Sequence, residues 1–566
     1  MLVMKNDSSN KENEISLKLS FVIGAIIGAA IFIMIYGVRV LDVTYDDFLF
    51  FYEQDPAQHY MGWQLFRNSD WHFPLGLTDA CMYPEMTSVV FTDSMPLFSV
   101  ILKVFSPILP DTFQFIGIYA LLCFMLQGGF AKLLLRRYIK SEVTCCIGSV
   151  LFIINIAFVQ RIFLHTALAS HFFILAALTL HVYRNVINSM RKRVILWIIL
   201  GVTCVSIHIY IYAMVSALLL GYSIVEAIEK NGKFIEKIKV FGLFFGTYLT
   251  ASVIVFYILG GFYGKVDSEG IGLGTYSANI NMLFNPQGYS SFGFTLPALY
   301  GQEDSLCYVG ISVIILMIPA LIAIIKAFKE IWKNHKKEIV IMGVINLLLF
   351  IFALSPVVSI NNFSFEYMSI LPDLIVKPWG IFRSTGRFMW PIEYLIMLIA
   401  IVYSEKIIKR LFPIILAGLV MVQVFEFSSF FIQQHKNFSP ELTAVFAEDT
   451  LQKYDFSKYK HIQFMTEYGH VDFYGDEVCY NTFAGYSRLA ANKRMTISNF
   501  HFSRDYKESV SKQIDLSFQE ILSGNIREDT IYVFDKNQYM QLDLGSNIDN
   551  KIEYDMGDGT ILILPN

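Results

Sequence analysis

Long apolar runs recur along the chain, parted by short polar connections, several of them basic. Runs of about 20 apolar residues are read as helices that cross a bilayer. They predict about eleven such helices, at 19–38, 112–135, 143–160, 166–183, 194–209, 211–228, 240–260, 308–326, 339–355, 388–404 and 411–430. The runs 194–209 and 211–228 are parted only at His208-Ile209-Tyr210 and read equally as one kinked element. The first run follows a polar stretch without a cleavage pattern, so it is expected to stay as a spanning helix. Beyond 430 the apolar runs shrink to strand length, at His461–Thr466, Thr530–Phe534 and Thr560–Leu564, after a helical pattern over Pro440–Tyr454.

Lysine and arginine orient the helices, because basic connections stay on the cytoplasmic side. Clusters such as Arg136/Arg137/Lys140, Lys230/Lys233/Lys237/Lys239 and Lys326/Lys329/Lys333/Lys336/Lys337 occupy every second connection. The expected layout is therefore a cytoplasmic tail at 1–18, then a transmembrane domain at 19–430 with outer loops 39–111, 261–307 and 356–387. A small extracytoplasmic α/β domain follows at 431–566. Composition agrees: 55% hydrophobic and 16% charged residues with a mean hydropathy of +0.49 suit an α-helical polytopic membrane protein. A net charge of −4 is too mild for a nucleic-acid partner. The seven cysteines show no metal-binding spacing. Of these, Cys81, Cys307 and Cys479 fall in segments placed outside, where a disulfide is chemically open.

Chemistry concentrates in the first outer loop. Acidic residues Asp46, Asp47, Glu53, Asp55 and Asp93 punctuate it. The stretch 56–69 has aromatic and apolar residues at helical spacing and suits a helix lying in the interface. The stretch 94–108 is apolar, holds Lys103 and reads as a second interfacial or re-entrant helix. Its bland role for Asp93 would be an N-cap. Arg383 and Arg387 stand just before a predicted span, where guanidinium forks suit a lipid phosphate, or else simply anchor a helix end. Near the outer helix ends stand Arg161, His165, His171 and His208, and polar groups at that depth tend to line a cavity. The loop 261–307 offers Asn279, Asn281, Gln302, Glu303 and Asp304, chemistry equally suited to sugar hydroxyls or to an ordered cap.

Three motif pieces carry a resemblance: Asp55-Pro56…His59-Tyr60-x-Gly62-Trp63, Thr92-Asp93-Ser94-x-Pro96-Leu97, and Phe382-Arg383-Ser-Thr-Gly386-Arg387-Phe388-x-Trp390-Pro391. Together with the order of helices they resemble bacterial membrane proteins of the GT-C glycosyltransferase type, akin to protein mannosyltransferases and aminoarabinose transferases. The resemblance implies a glycosyltransferase, hexosyl or related, that draws on a polyprenyl-phosphate sugar at the cell membrane and serves a cell-surface or cell-wall glycan acceptor. Asp55 matches the position of the base, with Asp46, Asp47 and Glu53 as neighbours able to take the role. Asp93 matches a position that orients acceptor or metal; a divalent cation, Mg2+ or Mn2+, would sit on Asp55 and Asp93 if one is used. Arg383 and Arg387 are expected to hold the donor phosphate, and His59, Tyr60, Arg161, His165, His208, Gln302 and Glu303 to meet substrate. The acidic pair common in that fold is here Asp55-Pro56, so a two-carboxylate mechanism at this spot is not matched. Two other classes stay open: a transporter or flippase of a lipid-linked glycan, and a non-catalytic assembly protein. A transporter would show inverted repeats and helices broken at the midplane, and neither is visible.

Overall fold

The computed structural model describes residues 10–51, 54–264, 272–443, 455–466, 477–503, 506–541, 551–556 and 559–565. Its contacts divide the chain into two compact units. The first holds Met1–Leu41, Gly117–Val253 and Ser268–Pro440; the second holds Asp42–Ile116, Ile254–Asp267 and Glu441–Asn566.

The first unit is helical. Across the described residues, six helices are long and apolar enough to cross a membrane, against the eleven or so expected. The physical reason lies partly in two long elements. Ile311–Leu354 runs 44 residues and Thr385–Glu426 spans 42. At about 1.5 Å per residue each is roughly twice the ~30 Å hydrocarbon core. The expected spans 308–326 and 339–355 fall in the first of these. Its middle, Lys326–Lys337, contains no glycine or proline, so the chain stays helical through its basic stretch and breaks only at His335 (φ −129°). The second is broken at Lys409 (φ 57°). Other expected spans fall short: Glu142–Ile153 and Phe172–Val182 are 12 and 11 residues long. The uncertain pair resolves into two helices, Met190–Val205 and Ile209–Glu229.

Close helix contact in this unit is set by small residues. Gly24 and Gly28, four apart on Asn10–Tyr36, face Gly128 and Phe124 of Ile116–Arg136 so closely that a Cβ at either would run into a backbone carbonyl. Small residues at this spacing let two helix backbones touch in an apolar solvent.

The second unit joins residues 42–116 and 254–267 to the C-terminal segment. Its sheet has five strands in the order Thr496–Ile497, His461–Phe464, Thr530–Asp535, Thr560–Pro565 and Lys551–Asp555. The first two pairings are parallel and the last two antiparallel, with Ile462 opposite Ile531 and Val533 opposite Leu562. Thr530–Asp535 and Thr560–Pro565 are near-continuous apolar runs because both of their faces are covered. Tyr532, Phe534, Ile561 and Ile563 form a core with Met465, Ile521 and Tyr539. The three strand runs read from the sequence are thus three of these five strands. The helical pattern expected over Pro440–Tyr454 falls largely on 444–454, outside the described residues.

The loop is stitched to this sheet. The Tyr83 N–H donates to the Ile497 carbonyl at 2.9 Å, and the Ile497 N–H donates to Ala80 at 2.8 Å. Tyr83 stacks on His461 with centroids 3.9 Å apart. The helix expected at 56–69 exists as Gln54–Asn68. It is buried along nearly its whole length rather than half open to an interface, with Trp63 Nε1 donating to Phe113 and Asn68 Nδ2 to Ala491. The second loop helix is short, Pro96–Val104, and leaves Ile101, Val104 and Phe105 exposed.

Candidate functional site

In the first unit the polar groups gather on one carboxylate. Asn155 caps the short helix Ile156–Arg161 through Phe158 N–H, which sets Arg161 at its last turn. The 3-10 turn Gln302–Ser305 presents Asp304, and the turn Thr385–Met389 presents Arg387. Arg161 Nη1 donates to Asp304 Oδ1 at 2.9 Å, and its other terminal nitrogen donates to the Asp304 carbonyl. Arg387 Nη2 reaches both carboxylate oxygens, at 2.8 and 2.6 Å. Ser384 Oγ donates to Oδ2 at 2.6 Å, and His165 Nε2 lies 3.8 Å from Oδ1. Arg161 is 1% exposed and Arg387 6%. Burial alone would raise the Asp304 pKa, but the Arg387 and Arg161 guanidiniums outweigh it and hold the carboxyl well below its ordinary range.

One carboxylate thus faces two guanidiniums, and the cluster keeps an excess positive charge. The surrounding residues lock its geometry. The Ser384 N–H donates to Tyr210 Oη at 3.0 Å, and the Arg387 guanidinium lies 5.1 Å over the Tyr210 ring. Trp390 Nε1 donates to the Leu306 carbonyl, and Phe388 packs edge-on to Phe352. Arg383, between these anchors, differs from Arg387. It is exposed, its guanidinium lies 5.1 Å over Tyr276, and among the described residues no carboxylate pairs with it.

Other candidates of this unit are occupied. His208 caps Ile209–Glu229, its Nδ1 accepting from Tyr210 N–H at 3.2 Å. Gln302, expected to meet substrate, is buried: its Oε1 accepts from Asn279 and Leu299 N–H, and its Nε2 donates to Ser359 at 2.6 Å. That amide holds the loop together. Glu303 is exposed on the same turn.

The second unit holds the carboxylates of the first loop. Asp55 opens the helix Gln54–Asn68, where the helix dipole favours a negative charge. One turn on, His59 is buried. Burial, with His501 nearby, lowers its pKa to about 3, so it is neutral at ordinary pH. Its Nδ1 has no partner among the described residues. The Tyr60 hydroxyl bonds the Thr112 carbonyl at 3.1 Å and also reaches Asp46. Asp46 is 6% exposed. Burial raises its pKa against the opposing pull of Arg488 and Tyr60. Asp47 lies 3.8 Å from Arg488 Nη1. Glu53 lies outside the described residues.

Two motif pieces meet in this unit. A Cβ on Gly62 would strike Ser94 Oγ and come within 2.6 Å of Thr92 Cβ, so glycine is what lets the Thr92–Ser94 turn close on the helix. Asp93 sits in that turn with φ 53°, a left-handed backbone that Asp adopts more readily than most residues. The cap of Pro96–Val104 is Met95, with no side-chain bond.

Among the described residues no group of three or more His, Cys, Asp or Glu could hold a metal ion. Cys81 and Cys307 are free thiols, which removes any disulfide between them. The residues missed in the sequence are Asp304 as the hub, Tyr276 and Tyr210 as the aromatic rests of the arginines, and Arg488 and His501. Asp304 bonds partners 143 and 83 positions away, and no local pattern marks such a pairing.

A family model described as "Domain of unknown function (DUF6311)" matches residues 25–428, and one described as "DUF6311 C-terminal domain" matches 456–565. Of solved structures, the archaeal oligosaccharyltransferase AglB from Archaeoglobus fulgidus, in complex with an inhibitory peptide and a dolichol-phosphate, is similar at 12% identity and a TM-score of 0.42. That likeness covers 98% of this chain and 75% of the other. No curated protein matches the chain.

Proposed function

The chain belongs to the DUF6311 family, and we propose that it is a membrane glycosyltransferase that moves a sugar from a polyprenyl phosphate to an extracytoplasmic glycan acceptor. Arg383 carries this reading. Its guanidinium is exposed, rests on Tyr276 and has no carboxylate opposite it among the described residues. The next residue, Ser384, is bound to Asp304 and Tyr210. A cation pre-positioned in this way suits a departing phosphate and costs little reorganisation during transfer. Arg387, spent on Asp304, becomes a positioning residue that keeps the Arg383 loop in place.

In this reaction the acceptor hydroxyl attacks the anomeric carbon. The bond from that carbon to the carrier's phosphate oxygen breaks, and the phosphate leaves with the electron pair. A base takes the hydroxyl proton. Asp55 is assigned that role from the motif it shares with the GT-C type. Asp46 is the alternative, supported by burial and its contact with Tyr60. The GT-C fold, the outer placement of these loops and any Mg2+ or Mn2+ on Asp55 and Asp93 belong to the same reading.

The test is transfer from a labelled polyprenyl-phosphate sugar by the full chain in vesicles. Arg383→Ala should weaken donor binding, and Arg383→Lys should restore it only in part, because an ammonium replaces a planar fork. Asp55→Asn should cut turnover by about 10²–10⁴ and leave donor affinity intact. Normal turnover in Asp55→Asn with loss in Asp46→Asn moves the base to Asp46. Loss in neither, with donor binding untouched by Arg383→Ala, rejects the enzyme.

A further inference from the structure

The first unit has a second buried ionic centre, away from Asp304. Glu338 is 2.8 Å from His181 Nε2, 3.5 Å from Arg184 Nη2 and 3.6 Å from His335 Nδ1. Arg184 pairs with both oxygens of Glu229, at 2.6 and 2.9 Å. This network pins the end of the helix Ile209–Glu229 to the break in the long helix Ile311–Leu354.

Two basic segments start from that centre. Residues 230–239 follow Glu229 directly, and 326–337 lead up to Glu338. Together they carry nine lysines against two glutamates, Glu236 and Glu330. Each is amphipathic. In the second, Ile325, Phe328 and Trp332 recur at i, i+3, i+7 and are 72%, 53% and 37% exposed. Lys326, Lys329, Lys333 and Lys336 form the neighbouring stripe, all exposed. Phe328 stacks on Trp332, and the Lys336 ammonium lies 5.6 Å over the Trp332 ring. In the first, Phe234, Ile235 and Ile238 are 78%, 55% and 47% exposed, with Lys233, Lys237 and Lys239 beside them.

An apolar stripe edged by lysines has two needs. The aromatic and aliphatic side chains leave water only by entering hydrocarbon, and the ammonium groups then sit at headgroup depth. A zwitterionic surface would take the aromatics but leave the lysines without counter-charge, whereas an anionic leaflet serves both. We propose that this end of the first unit is a binding surface for anionic phospholipid, with the lysines of both segments at the depth of its headgroups. The proposal is independent of any glycosyl transfer.

The experiment places the full chain in nanodiscs of phosphatidylglycerol or phosphatidylcholine and follows thermal unfolding at low and high salt. The wild type should unfold several degrees higher in phosphatidylglycerol, and salt should erase the difference. The combined Lys326→Gln, Lys329→Gln, Lys333→Gln and Lys336→Gln variant should lose that advantage and keep the wild-type midpoint in phosphatidylcholine. Lys233→Gln with Lys237→Gln gives an independent variant should the first fail to fold. Equal midpoints for the wild type in both lipids would overturn the proposal, and so would a full advantage retained by both variants. Salt-sensitive binding of polyglutamate that phosphatidylglycerol does not displace would assign the surface to an acidic protein and also overturn it.

Discussion

Asp304→Asn is the most informative single change in the first unit. The carboxylate accepts three hydrogen bonds from Arg161 and Arg387 and one from Ser384. An asparagine keeps one acceptor oxygen but turns an amide donor toward groups that also donate. It takes away the negative charge that both buried guanidiniums face. Removing one partner of a buried ion pair costs about 3–5 kcal/mol. Arg387→Ala should cost less, about 1.5–3 kcal/mol for its charge-assisted bonds, because Asp304 keeps Arg161. The pH dependence has a definite sign. A carboxyl held below its ordinary pKa contributes stability above its unfolded value of about 3.9 and loses it as pH falls through the folded value. For Asp304 the folded value is well below the ordinary range, so the gap between wild type and Asp304→Asn should be constant from pH 8 to about 5 and close only below about 3.9. The assay is thermal unfolding in detergent, read across that pH range by the intrinsic fluorescence of buried tryptophans such as Trp197 and Trp390. An unchanged midpoint for Asp304→Asn refutes the hub, and a gap that closes already near neutral pH refutes its electrostatics.

Further outcomes are expected elsewhere. Gly62→Ala should cost about 1–3 kcal/mol by overpacking, because its Cβ meets Ser94 and Thr92; unaltered stability and proteolysis of the second unit would contradict this. His59, held neutral down to about pH 3, should destabilise the fold as acid protonates the unfolded chain from about 6.5 downward. His59→Gln should flatten that acid limb, and an identical pH–stability curve would count against it. A cysteine placed at 551–556 should react with an impermeant reagent on intact cells, while one at 230–239 should react only after permeabilisation. The reverse pattern would invert the orientation.

What the sequence determined by itself was local and periodic. Apolar runs marked the membrane helices, and short apolar runs marked His461–Phe464, Thr530–Asp535 and Thr560–Pro565 as strands. The aromatic spacing at 56–69 marked a helix, and the basic residues of Phe382–Pro391 marked a charged helix entrance. These features depend on neighbours a few positions away, and the pattern records them directly. The number of separate helices was less legible. A basic stretch rich in helix formers, such as Lys326–Lys337, looks like a connecting loop by charge, yet its backbone leaves helical geometry only at His335. Burial of the helix Gln54–Asn68 on nearly all sides was likewise hidden, because its cover comes from segments such as Ala491 and His501, more than 400 positions on. The division of labour among the arginines was decided by tertiary structure alone. Arg383 and Arg387 are the same chemistry four residues apart, and only the arrival of Asp304 from a distant turn neutralises one and leaves the other exposed. Gln302 makes the same point: an amide suits a sugar or a neighbouring Asn279 equally well, and packing chose Asn279. Residue type sets what a group can bind, but long-range folding sets which partner reaches it first.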